Sequence, residues 1–229
     1  MKRIFLVLIA LCVSSLEAVL SFKSIGSANT NYQALPQKRK LFKAVGCSYF
    51  NDVEIEDSQS LQNPYVTEYY KNNAQNIMSL SKKYAHDVRT RVLAPMYLHY
   101  ISDKIGYGVF ANKAIKKDQF IGVYAGTLRV TRFDDKNFTE DVDYAWSYIV
   151  PTKDDKKMII DGKYKGNELR FINHDSDPNV QCVTVVVDGV YYLCYVALKN
   201  IPAHTQLTVS YGDGYWFSRD VNPSEIISK

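Results

Sequence analysis

Arg170-Phe171-Ile172-Asn173-His174-Asp175-Ser176-Asp177-Pro178-Asn179, followed downstream by Leu207-Thr208-Val209-Ser210-Tyr211-Gly212, are the two segments on which the reading of this chain turns. Taken singly, each has an ordinary explanation. Asn173 can satisfy a turn and His174 can be a hydrogen-bonded core residue, while Tyr211 beside Gly212 fits a half-buried tyrosine at a strand end. Two further segments precede them, Gly106-Tyr107-Gly108-Val109-Phe110-Ala111 and Tyr124-Ala125-Gly126. Four independent turns have no reason to fall in this order with these residue types, so the segments are read jointly.

The first glycine segment also matches a dinucleotide-binding fingerprint. That mechanism requires a helix to open at the glycines so that its N-terminus meets a pyrophosphate. Here Val109-Phe110-Ala111 leads into the polar stretch 112–118 and then another β-type run, which leaves no room for such a helix. The two glycines still let main-chain amides approach a ligand carboxylate without a Cβ in the way.

In this order the four segments resemble the SET-domain protein lysine methyltransferases, over residues 96–216. The resemblance implies S-adenosyl-L-methionine as cofactor and a protein lysine, in a histone tail or another host protein, as methyl acceptor. It implies that Ile105, Gly106, Tyr107 and Gly108 receive the amino-acid end of the cofactor, that Asn173 and His174 hold it, and that Arg170 and Phe171 flank it. The resemblance further implies that Tyr144, in Tyr-Ala-Trp-Ser-Tyr, lines the junction of the cofactor and lysine channels and that Tyr211 is the catalytic tyrosine. The implied fold is β-rich α+β, several short sheets with a pseudoknot, preceded by an amphipathic helix. Asp175 and Ser176 stand where Ser and Cys are common, and Gln206 where Glu is common. Zinc-bearing flanks are missing, which leaves Tyr215 and Trp216 to close the site and likens the chain to the compact zinc-free SET-domain effectors of intracellular bacteria. The rival classes are a catalytically inactive SET-like peptide-binding module and a methyltransferase acting on a bacterial protein.

Outward from the motifs, residues 64–88 carry Val66, Tyr70, Ile77, Leu80, Tyr84 and Val88 at helical spacing, predicting an amphipathic helix in an N-terminal flank, 64–95. Residues 96–101, 119–124, 144–150, 157–161, 180–187 and 190–198 read as strands. Asp188-Gly189 predicts a two-residue hairpin turn pairing Val187 with Val190, Val185 with Tyr192 and Cys182 with Tyr195. Cys182 and Cys194 then face opposite sides and are not bridged. Residues 21–63, polar and broken by Pro36 and Gly46, read as a linker whose Lys38-Arg39-Lys40 cluster is solvated; 217–229 read as a tail.

Residues 1–20 have the tripartite pattern of a signal peptide: Lys2-Arg3, an apolar run 4–13, then Ser14, Ser15 and Ala18. The run is too short to span a bilayer, so no integral membrane segment is expected in the mature chain. Export from a bacterial cell follows, with the host cell or its nucleus as destination. The alternative is a buried N-terminal helix. A chain of 229 residues, 46% of them hydrophobic, suits one catalytic domain with flanks. A net charge of +4 falls short of a dedicated nucleic-acid binder, and direct nucleic-acid binding is not expected. Four cysteines without a C-x-x-C pair predict no structural zinc.

Overall fold

The computed structural model describes residues 35–59, 61–131, 143–150, 152–154 and 156–217. The expected signal peptide and residues 218–229 of the expected tail lie outside the described residues. From Leu35 onward the linker expectation is overturned. Residues Leu35–Ala44 form helix α1, Ser48–Tyr49 strand β1 and Val53–Ile55 strand β2. Leu41 and Phe42 of α1 are buried, and so is Lys38, which was expected in solvent. Two adjacent buried apolar residues, Leu41 and Phe42, among basic neighbours give no periodic signal. Such a helix is held by tertiary burial rather than by propensity.

Helix α2 spans Glu68–Arg89, opened by the Thr67 hydroxyl, which accepts from the Tyr70 amide, and with Glu68 in its first turn. A 3-10 turn, Pro64–Val66, precedes it. Thr67 is extended there, so Val66 falls outside the helix and is exposed, not on the predicted face. Ile77, Tyr84 and Val88 are buried as expected. Among the described residues no helix is long and apolar enough to cross a membrane.

The remaining strands are β3 (Met96–Ser102), β4 (Gly106–Ala111), β5 (Phe120–Val123), β6 (Gly126–Val130), β7 (Ala145–Tyr148), β8 (Met158–Asp161), β9 (Lys165–Gly166), β10 (Asn173–His174), β11 (Val180–Val187), β12 (Val190–Ala197) and β13 (Thr208–Val209). A short helix, α3 (Asp213–Phe217), follows β13. Sheet orders are β1-β9, β3-β4, β11-β12-β5, β2-β6-β8-β7 and β10-β13. Strands β4 and β6 were not anticipated, because their glycines masked the alternation.

The β11–β12 hairpin has the predicted register, with Val187 opposite Val190, Val185 opposite Tyr192 and Cys182 opposite Tyr195. Asp188 and Gly189 take φ of 51° and 77°, the left-handed pair that the tight turn requires. Among the described residues, Cys182 and Cys194 are free thiols. Tyr84 and Val88 of α2 pack on Phe120, Val123, Val185, Val187, Cys194 and Val196. The larger core gathers Phe42, Met96, Val109, Ile121, Leu128, Ile160 and Leu169 around the segment leading into β10.

Candidate active site

The site is built where β10 lies parallel to β13, with Asn173 opposite Thr208 and His174 opposite Val209. Sequence reading assigned no role to Asn179, yet it fixes this junction. Its side chain donates to the Gln206 carbonyl at 2.8 Å and accepts the Thr208 amide at 2.9 Å. The motif contained Asn179, but a turn role after Pro178 hid its reach to another strand.

The junction puts three predicted residues together. The Tyr211 amide donates to His174 Nδ1 at 3.1 Å, and the Tyr211 hydroxyl donates to the Ile172 carbonyl at 2.8 Å. Asn173 Nδ2 donates to the Tyr107 carbonyl at 3.3 Å, which ties β10 to β4. Gly108 lies under this contact. A Cβ there would stand 2.7 Å from Ile101 Cδ1, 2.9 Å from Gln206 Nε2 and 3.2 Å from Asn173 Nδ2. Gly106 takes φ of +77° and has open space where a Cβ would sit. Ile105 differs: its amide is taken by the Ser102 hydroxyl at 3.2 Å, so it shapes the turn before β4.

Trp216 caps the group. Its ring is 4.8 Å from that of His174 and stacks on Tyr211 at 6.1 Å with 14° between planes. Tyr215 meets Tyr211 edge-on at 4.7 Å. Trp216 is buried, and its Nε1 has no hydrogen-bond partner among the described residues. Burial lowers the His174 pKa below its ordinary value, partly opposed by the Asp175 charge and by the Val209 main chain.

Arg170 and Phe171 are held by contacts within the fold. The Arg170 Nε donates to the Gly162 carbonyl at 2.8 Å and an NH2 group donates to that of Lys163 at 3.1 Å. Its guanidinium lies 3.9 Å from the Tyr144 ring centre. Phe171 is a core ring, edge-on to Phe42 at 5.3 Å and to Tyr107 at 6.0 Å. Tyr144 is half-exposed with φ of 67°, and its carbonyl accepts from the Gly162 amide at 2.9 Å and the Tyr124 hydroxyl at 2.5 Å. It meets the site through Tyr124. Buried Tyr124 and Tyr195 and half-buried Trp146 form an aromatic wall with ring separations of 6.0 to 6.4 Å. Burial pushes the Tyr124 and Tyr195 hydroxyls far above their ordinary pKa, and nearby Tyr211 adds to the shift. Tyr124 stood in one of the four motif segments, but Tyr195 had no signal beyond alternation in its strand.

Residues 106–212 match the family model described as SET domain. This fold is a SET domain. Within it, the chain is 31% identical over 118 residues to the histone-lysine N-methyltransferase NSD3 of Mus musculus, covering 48% of this chain and 8% of that protein. It is 29% identical over 115 residues to the histone-lysine N-methyltransferase EZH2 of Chaetomium thermophilum, again covering 48% of this chain and 8% of the relative. The chain thus spans under a tenth of the length of these curated relatives. The solved structure of ATXR5 in complex with histone H3.1 shares the fold at a TM-score of 0.56 and 17% identity, covering 82% of this chain and 92% of that one. The SET domain therefore has a structural neighbour that extends into its flanks as well.

Proposed function

We propose that the chain is an S-adenosylmethionine-dependent protein-lysine N-methyltransferase acting on a histone or another host protein. The junction of Asn173, His174 and Tyr211 carries this reading, because one parallel pairing sets an amide side chain, an imidazole and a phenol side by side. Similarity to two histone-lysine N-methyltransferases supports it. The residues present fit the cofactor: Gly108 leaves no room for a side chain beside Asn173, and the buried Trp216 Nε1 is a donor available to a polar ligand atom.

When bound, S-adenosylmethionine supplies a methyl group activated by its sulfonium charge. Gly106 and Tyr107 would meet its amino-acid end through main-chain groups, with Asn173 and His174 holding the rest. The chain's own residues must then prepare the amine. A free lysine has a pKa of about 10.4, so a proton must leave before attack. Buried aromatic walls such as Tyr124 and Tyr195 disfavour the ammonium form. The Tyr211 hydroxyl, anchored at the Ile172 carbonyl, orients the amine. Among the described residues, strand β7 lies at the edge of its sheet, where an extended peptide could add as a further strand.

The same edge would serve a catalytically silent peptide-binding module. Parallel incubations with radiolabelled S-adenosylmethionine and host-cell lysate, histones or bacterial lysate, with the label then located by mass spectrometry, separate the readings. Label on host lysines is expected. Label acquired only in bacterial lysate moves the substrate to a bacterial protein, and peptide binding without any label establishes the module. Export into a host, and grouping with zinc-free bacterial effectors, belong to this proposal and rest on residues 1–20 and on the Tyr215-Trp216 cap. Fusion of residues 1–24 to a reporter in a bacterial cell tests export, and cytoplasmic retention would remove it.

A further inference from the structure

Glu168 has no part in the chemistry above, yet it is wholly buried. It opens the 3-10 turn Glu168–Phe171, whose chain runs through Ile172 directly into Asn173 and His174. Its counter-ion is Lys38 of α1, also buried. Beside the pair, Phe42 of α1 meets Phe171 edge-on at 5.3 Å, and the Lys38 ammonium lies 5.7 Å from the Tyr49 ring centre. An N-terminal helix that the sequence presented as linker thus grips the segment leading to the two proposed cofactor residues.

A buried ion pair is a poor source of stability, because desolvating both charges offsets their attraction, and apolar replacements of similar volume are often neutral or stabilising. What such a pair does supply is register. Any shift of α1 along the turn leaves an uncompensated charge in the core. We propose that Lys38 and Glu168 are positioning residues that fix the Glu168–Phe171 turn against α1 and thereby set Asn173 and His174 for the cofactor. The proposal rests on the cofactor-binding reading of those two residues.

The test compares Lys38→Met, Glu168→Leu and the double variant in the full chain, by thermal melting, S-adenosylmethionine calorimetry and hydrogen exchange of amides 169–174 without ligand. Each single variant should melt lower and bind the cofactor about tenfold or more weakly. The double variant should regain the wild-type melting temperature yet keep the weakened affinity and the faster exchange at 169–174. A double variant with wild-type melting, affinity and exchange would overturn the proposal. Should the double variant not fold, Glu168→Gln decides, since it keeps the shape and removes only the charge: unchanged exchange at 169–174 sinks the idea, and faster exchange confined there supports it. If the wild type does not bind S-adenosylmethionine, the functional reading fails, while the ligand-free exchange still decides the role of the pair.

Discussion

Tyr211 makes two bonds of different kinds, and a single substitution separates them. Its amide reaches His174 and its hydroxyl reaches the Ile172 carbonyl. Tyr211→Phe keeps the first and removes the second. Methyl transfer should fall by about a hundredfold or more, while the cofactor dissociation constant stays within roughly threefold. Steady-state kinetics and calorimetry on the variant check both, and full turnover would remove the hydroxyl from the mechanism. His174 provides a pH test. Burial lowers its folded pKa below the ordinary 6.5, so as pH falls the unfolded chain takes up the proton first. Its contribution to stability is complete above 6.5 and is lost as pH drops through the lowered folded value. The loss has a local meaning, since a protonated Nδ1 can no longer accept the Tyr211 amide. Thermal melts across that window should show destabilisation on the acid side, with His174→Gln flattening the dependence.

At the level of elements, β4 is where a glycine is required by crowding rather than by φ. A methyl group at Gly108 would press on Ile101, Gln206 and Asn173 at 2.7 to 3.2 Å. We expect Gly108→Ala to cost about 1–3 kcal/mol through overpacking and to weaken cofactor binding by displacing Asn173. Urea denaturation and calorimetry measure the two effects, and an unchanged dissociation constant would show that the Asn173 contact is dispensable. The elements also differ in how far sequence revealed them. The β11–β12 hairpin was legible to the residue, because Asp188-Gly189 fixes the turn and eight-residue strands carry clear alternation. Strands β1, β9, β10 and β13 have two residues each. A two-residue strand has no period to detect, and each exists through a parallel partner distant in sequence. The junction at Tyr211 was therefore visible as residue types and invisible as geometry.

For the whole molecule, the N-terminal flank is part of the fold. Strand β2 pairs in parallel with β6, α1 buries Leu41 and Phe42, and α2 covers the hairpin sheet with Tyr84 and Val88. A fragment beginning at Met96 would expose Val123, Val185 and Val196 to water. It should fail to give a cooperative melt by circular dichroism, whereas a fragment beginning at Leu35 should melt as the full chain does; a cooperative Met96 fragment would show the flank to be an accessory. By itself the sequence determined the β-rich class, the hairpin and its register, the helix preceding the domain, and the residue types Asn173, His174 and Tyr211 in their order. These are properties of local patterns and turn chemistry. Only the tertiary structure decided that Arg170 is spent on the carbonyls of Gly162 and Lys163, that Tyr124 and Tyr195 wall the site, and that Lys38 lies buried against Glu168. Each of those depends on a partner far along the chain, and a charged or aromatic residue carries no mark of the distant group that will satisfy it until packing brings the two together.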